Sequence, residues 1–122
     1  MQRNEGYSAP GTVIPFQVER LNIGKGMDLK SGVFTAPTNG RYSFSFIAQA
    51  GADITQVHLR INGSVIAISD GWSQYSMIPL SATLNLRKDD RLDLFLNIGS
   101  LFDGGNHYTQ FSGILLEEIL DL

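Results

Sequence analysis

Tyr42, Phe44, Phe46 and Ala48 alternate with Ser43, Ser45, Ile47 and Gln49. A period of two sends one set of side chains to a buried face and the other to the opposite face, which commits this segment to a β-strand with an aromatic inner side. The residues before it set where the strand can begin. Phe34 ends a short extended run, and Ala36-Pro37 interrupts it, because proline has no amide proton and holds the preceding residue extended. Thr38-Asn39-Gly40 follows, and since Asn and Gly both accept positive φ, a tight reversal is expected there.

The same period recurs along the chain. Ile14, Phe16 and Val18 share one face of an expected strand over residues 13–21, and Pro15 suggests an edge position. Residues 22–30 carry two glycines and no period, so a loop is expected. Val57, Leu59 and Ile61 alternate with His58, Arg60 and Asn62, and Asn62-Gly63 is the strongest hairpin signal in the chain because both residues suit a type I′ turn. A return strand over 64–69, a loop at Asp70-Gly71-Trp72-Ser73 and a long strand over 74–87 follow. Lys88-Asp89-Asp90 forms a charged turn. Leu92, Leu94, Leu96 and Ile98 then line one side of the next strand, residues 99–107 read as a glycine-rich loop, and 108–120 as the last strand. About eight strands with turn signals between them, and no helical period, predict an all-β antiparallel sandwich or jelly roll. Residues 1–12 are read as a flexible lead-in and 13–122 as the one domain.

Composition narrows the function. Charged residues make up 17% and apolar ones 43%, less charge than a monomer of this size usually carries, which hints at buried subunit interfaces. The net charge of −3, with no basic run, offers no footprint for nucleic acid or an anionic membrane. No apolar run is long enough for membrane insertion. Without cysteine there is no disulfide, thiolate metal site or cysteine nucleophile. His58 and His107 make no metal pair, Glu117-Glu118 and Asp89-Asp90 point to opposite faces as strand neighbours, and no serine lies in Gly-x-Ser-x-Gly, so an enzyme is not expected.

One register of spaced residues is specific. Phe16, Asn22, Met27, Phe34, Gly40, Tyr42, Phe44 and Phe46 follow the signature of the complement C1q globular-head domain, a family allied in fold to the tumour necrosis factor cytokines; Met27 stands where the signature has an aromatic residue or Leu. Methionine is large, apolar and adaptable enough to fill that place. The segments Leu84-x-Leu86-x-x-Asp89-Asp90 and Phe111-Ser-Gly-Ile-Leu-Leu also resemble the family. The resemblance implies a ten-strand jelly roll, a trimer, secretion and non-enzymatic recognition. Ile47, Val65, Phe95 and Ile114 lie opposite their strands' core sets, and burial between subunits, or under loops of the same subunit, would remove that apolar surface.

Alternating strand directions sort the turns to two ends. Asn39-Gly40, Asn62-Gly63 and Lys88-Asp89-Asp90 fall near the termini; the loops at 22–28, 51–53, 70–73 and 99–107 gather at the other end, the apex. Trp72, Tyr75 and Tyr108 there could stack on sugar rings, with Gln74, Asn106 and His107 bonding hydroxyls; packing beneath the loops is the alternative. Asp70 and Asp103 are candidate calcium ligands, with solvated loop aspartates as the ordinary alternative and no cofactor required. The expected function is a secreted, homotrimeric module of the innate-immune, lectin-like kind that recognises carbohydrate or another repeated surface ligand by avidity. The alternatives are a cytokine-like or adhesive ligand for a protein receptor, and a structural trimerisation domain.

Overall fold

The computed structural model describes residues 10–14, 27–28, 32–102 and 110–119. Among them are ten strands and no helix: β1 (Thr12–Val13), β2 (Met27–Asp28), β3 (Val33–Thr35), β4 (Gly40–Ala50), β5 (Thr55–Ile61), β6 (Ser64–Gly71), β7 (Met77–Leu86), β8 (Arg91–Ile98), β9 (Leu101–Phe102) and β10 (Gln110–Glu118). All pair antiparallel, in two sheets. One runs β2-β3-β8-β5-β6, with β1 also on β8; the other runs β10-β4-β7, with β9 also on β4. The chain therefore crosses repeatedly between layers, as in a jelly roll.

The inner faces are those the alternation marks out. Phe34, Tyr42, Phe44, Phe46, Leu92, Leu94 and Leu96 are all buried, and Ile14, Val57, Leu59, Ile78, Leu86 and Phe111 fill the space among them. Phe44 is central: its ring centroid lies 5.3 Å from that of Phe34, edge-on, and 5.8 Å from that of Phe111, stacked. The buried Tyr42 hydroxyl donates to the Thr38 carbonyl at 2.7 Å, so the polar end of the aromatic cluster is satisfied. Phe16 and Asn22 lie outside the described residues.

Two glycines follow different physics. Asn62 and Gly63 have φ of 50° and 84°, as the expected hairpin turn requires. Neither Asn39 nor Gly40 has positive φ, so the expectation at that reversal is corrected. Gly40 already lies in β4, where an added Cβ would stand 2.8 Å from the Glu117 carbonyl oxygen. Its value is close approach to β10, and the turn is held instead by Asn39, whose Oδ1 accepts the Lys88 N–H at 2.7 Å.

Other boundaries move too. Within the expected loop over 22–30, Met27 and Asp28 pair with Phe34 and Val33. Asp70 and Gly71 continue β6, pairing with Gln56 and Thr55, so the loop begins at Trp72. The next strand starts at Met77 rather than at residue 74, and Leu101–Phe102 pairs with β4 inside the expected glycine-rich loop. Ile98 is exposed, because the β5–β8 register shifts between Gln56 and Val57 and takes it off the leucine row.

Candidate functional site

The two ends sort as the strand directions require. At one, the Asp89 N–H donates to the Ala36 carbonyl, the Asn62 N–H to that of Arg91, and the Ile119 N–H to that of Asn39. At the other, the segments 51–54, 72–76 and 99–102 converge on Ala50 and Gly51. The Ala50 N–H donates to the Ser76 carbonyl at 2.8 Å, the Tyr75 N–H returns to the Ala50 carbonyl at 2.7 Å, and the Gly51 N–H donates to the Ser100 carbonyl at 2.7 Å. Thr55, fully buried, donates from Oγ1 to the Ser100 carbonyl at 3.2 Å. These bonds are main-chain anchored, so the loops form a fixed rim whose side chains are free to vary.

That rim leaves large apolar groups in solvent. Trp72 is 75% exposed and Tyr75 50% exposed, with Ile54 and Met77 also uncovered. Tyr75 holds φ at 70°, a backbone an L-residue seldom adopts, and its ring meets Phe102 edge-on at 4.9 Å. The Gln49 side chain donates from Nε2 to the Tyr75 carbonyl at 2.9 Å, while its Oε1 is buried and finds no donor among the described residues. Gln74 reaches the Gly51 carbonyl from Nε2 at 3.5 Å, a weak bond that leaves its amide available. The loops at 51–54 and 72–76 carry no Lys or Arg.

Thus Trp72, Gln74 and Tyr75 share the apex, with Ile54 and Met77 as members the sequence pattern did not single out. Asp70 stands apart from them. It lies on β6, and its Oδ1 accepts a bond from Gln56 Nε2 at 2.8 Å. Asp103, Asn106, His107 and Tyr108 fall outside the described residues. Among the described residues, no three His, Asp or Glu side chains gather as a metal site would need. Exposed residues with apolar bulk have one signal in sequence, an aromatic or aliphatic side chain next to turn residues, and Ile54 after Gly51-Ala52-Asp53 carries it.

The outer faces of the two sheets differ. On β4, β7 and β10 the rows across the strands read Gln110–Ile47–Pro79, Ser112–Ser45–Ser81 and Ile114–Ser43–Thr83, with no charged group. The Arg41–Glu117 ion pair, at 2.8 Å, closes this face at one end. Ile47 and Ile114 are 40% and 49% exposed. Val65 and Phe95 belong to the other sheet.

Comparison with known proteins bears on this architecture. The family model for the C1q domain matches residues 1–116. Caprin-2 of Danio rerio is 32% identical over 116 residues, which cover 88% of this chain and 13% of that protein. Human complement C1q tumor necrosis factor-related protein 3 is 28% identical over 117 residues, covering 92% of this chain and 48% of the relative. The chain thus spans about half or less of the curated relatives it matches. Among solved structures, the globular domain of zebrafish complement 1qA superposes with a TM-score of 0.75 at 16% identity, covering 94% of this chain and 99% of that one. Bushbaby GITRL superposes at 0.61 with 18% identity, covering 78% of each chain.

Proposed function

The chain belongs to the C1q domain family, and from that premise we propose that it is a secreted, non-enzymatic recognition module that assembles as a homotrimer and binds carbohydrate, or another repeated surface ligand, through its apical loops. The observation that carries the ligand reading is the pair of rings at the apex, Trp72 at 75% exposure and Tyr75 at 50%, on a rim anchored by main-chain bonds. A sugar presents an apolar ring face framed by hydroxyls. An exposed indole offers the matching apolar face, and Gln74, two residues on in the same loop, carries an amide able to pair with hydroxyls. The 51–54 and 72–76 loops carry one acid, Asp53, and no Lys or Arg, which favours a neutral sugar over a polyanion.

The uncharged outer face of β4, β7 and β10 supports assembly. A monomer would leave Ile47, Met77 and Ile114 in water, whereas a cyclic trimer can cover them and closes on itself without open ends. Three rigidly held weak sites then bind an array with about 100-fold or greater gain over one site, without any stronger contact. Calcium between apical carboxylates belongs to this reading only as an accessory: Asp103 is the remaining loop candidate, and Asp70 is engaged by Gln56.

A panel of neutral and acidic glycans displayed at high density tests the reading. The wild-type chain is expected to bind a neutral member, and Trp72→Ala to lose about tenfold or more of that binding with its thermal unfolding unchanged, since the indole is exposed. Equal binding by the Trp72→Ala chain, or no binding to any displayed glycan, would contradict it.

A further inference from the structure

The outer face of β5 and β8 holds a second constellation, at the end opposite the apical loops. Arg60 stands across from Asp93 in the strand register and donates to its carboxylate twice, from Nε to Oδ1 at 2.8 Å and from Nη2 to Oδ2 at 3.1 Å. The same guanidinium lies 4.2 Å from the centre of the Phe95 ring. Held on two sides, it has already lost most of the freedom that a binding partner would otherwise have to remove. Its Nη1 makes no hydrogen bond among the described residues.

Arg91 lies diagonally from Arg60 on the same face. Its backbone is fixed, since its N–H donates to Asn62 Oδ1 at 2.8 Å and its carbonyl accepts the Asn62 N–H at 2.7 Å. Its side chain is exposed and forms no ion pair among the described residues. Between the two arginines opens a groove of about 550 Å³, bounded also by Val33, Gly63 and Asp89. Beside it on the edge strand β6, Val65 and Ile68 are 47% and 53% exposed, Val65 directly across from Arg60.

The chemistry of this groove selects its occupant. Two guanidinium groups, one of them immobile, suit a carboxylate, which accepts from planar forks of donors. Arg60 and Asp93 neutralise each other, so the positive excess is that of Arg87, Lys88 and Arg91 over Asp89 and Asp90 around the neighbouring turn, in a chain whose net charge is −3. Asp89 on the lip disfavours a run of acids but offers an acceptor to peptide N–H groups. The Phe95 ring is covered by Arg60 on one side, so a saccharide would find little open aromatic face to stack on. Arginine is instead among the residues enriched at protein-binding hot spots, and the exposed aliphatic groups beside it offer apolar area for a partner to cover.

We propose that this groove docks a segment of a partner protein in which one Asp or Glu stands beside an aliphatic side chain, the carboxylate bound by Arg91 and Arg60 Nη1 and the aliphatic group by Val65 and Ile68. The site lies on the sheet face opposite the one assigned to subunit packing, so it stands independently of the apical reading and is open in monomer and trimer alike.

The test is selection of a random displayed-peptide library on the purified full chain, followed by NMR titration with one synthesised winner. Enriched peptides are expected to carry an acid next to an aliphatic residue, and the winner to shift the signals of Arg60, Arg91, Val65 and Ile68. Arg91→Glu, which keeps the main-chain bonds to Asn62, is expected to weaken that peptide about tenfold or more, as is Glu→Gln or Asp→Asn within the peptide. Winners without an acid, or equal affinity for the Arg91→Glu chain, would overturn the proposal. So would glucuronic acid shifting the same signals where no peptide does, which would give the groove to an acidic saccharide.

Discussion

The two outer faces of the sandwich are built from strands of similar length over one shared core, yet they are chemically opposite. Across β4, β7 and β10 the outward rows are Ser, Thr, Pro, Gln and Ile, with the Arg41–Glu117 pair only at the margin. Across β8, β5 and β6 the outward rows hold the Arg60–Asp93 pair, then Phe95, His58 and Ile68, then a polar chain in which Gln56 accepts from Asn97 Nδ2 at 2.7 Å and donates to Asp70. A face of small uncharged side chains gains by being covered. A face of paired charges and hydrogen-bonded amides is already content in water, and covering it costs desolvation unless the partner brings matching groups. On that difference rests the proposal that the first face packs against copies of the chain and the second is left to solvent or a dedicated partner.

Placing the same charge on each face is the sharpest way to break this contrast. Ile47 and Ile68 are 40% and 53% exposed, so Ile47→Asp and Ile68→Asp should cost the single chain little. Ile47→Asp is expected to turn a trimer into monomers in sedimentation, whereas Ile68→Asp leaves the mass unchanged; the reverse would exchange the roles of the faces.

A smaller effect separates the pairing of charges on the second face from mere polarity. Arg60→Met strands the nearly buried Asp93 carboxylate, and a loss of about 1–3 kcal/mol in denaturant unfolding is expected. Adding Asp93→Leu should restore most of it, since two well-packed apolar groups can replace such a pair. If the double variant were as unstable as the single one, the pair would not be the source of the loss.

Smaller again is the response of the core beneath both faces to alkali. Burial raises the Tyr42 phenol above its ordinary pKa of 10.0, and the nearby Glu118 carboxylate adds to the rise. The folded state therefore holds this proton more tightly than the unfolded chain. Its contribution is complete below about pH 10 and is lost as the pH climbs through the folded value. Tyr42→Phe should lower stability by about 1 kcal/mol at neutral pH through loss of the bond to the Thr38 carbonyl, and should flatten the decline above pH 10. Unchanged alkaline behaviour in that variant would assign the decline to other groups.

What could be read from the chain alone follows the same division between core and rim. Alternation placed the aromatic inner row of β4 and the leucine row of β8, because a period of two has one structural meaning. The Asn62-Gly63 turn was legible for the same kind of reason, a backbone demand met by particular residues. Strand ends at the apex were not. Nothing local tells Asp70 and Gly71 to keep pairing, and they do so because Gln56 and Thr55 stand opposite. Leu101–Phe102 joins a sheet only because the end of β4 is available. Gly40 announced itself as a turn glycine, while its role is to let β10 approach. Of the expected site, Trp72, Gln74 and Tyr75 lie on one apical loop by adjacency in the chain, and strand alternation bears only on which end that loop occupies. The Arg60–Asp93–Phe95 group could not be found without the register, which alone brings residues from β5 and β8 face to face.

Recognition by avidity depends on whether copies of the chain cover the uncharged face. Sedimentation equilibrium of the purified protein tests it most directly, run once with calcium and once with a chelator. Three times the 13.4 kDa of one chain is expected in both. A stable monomer of 13.4 kDa would contradict it, and with it the recognition by avidity that the trimer provides.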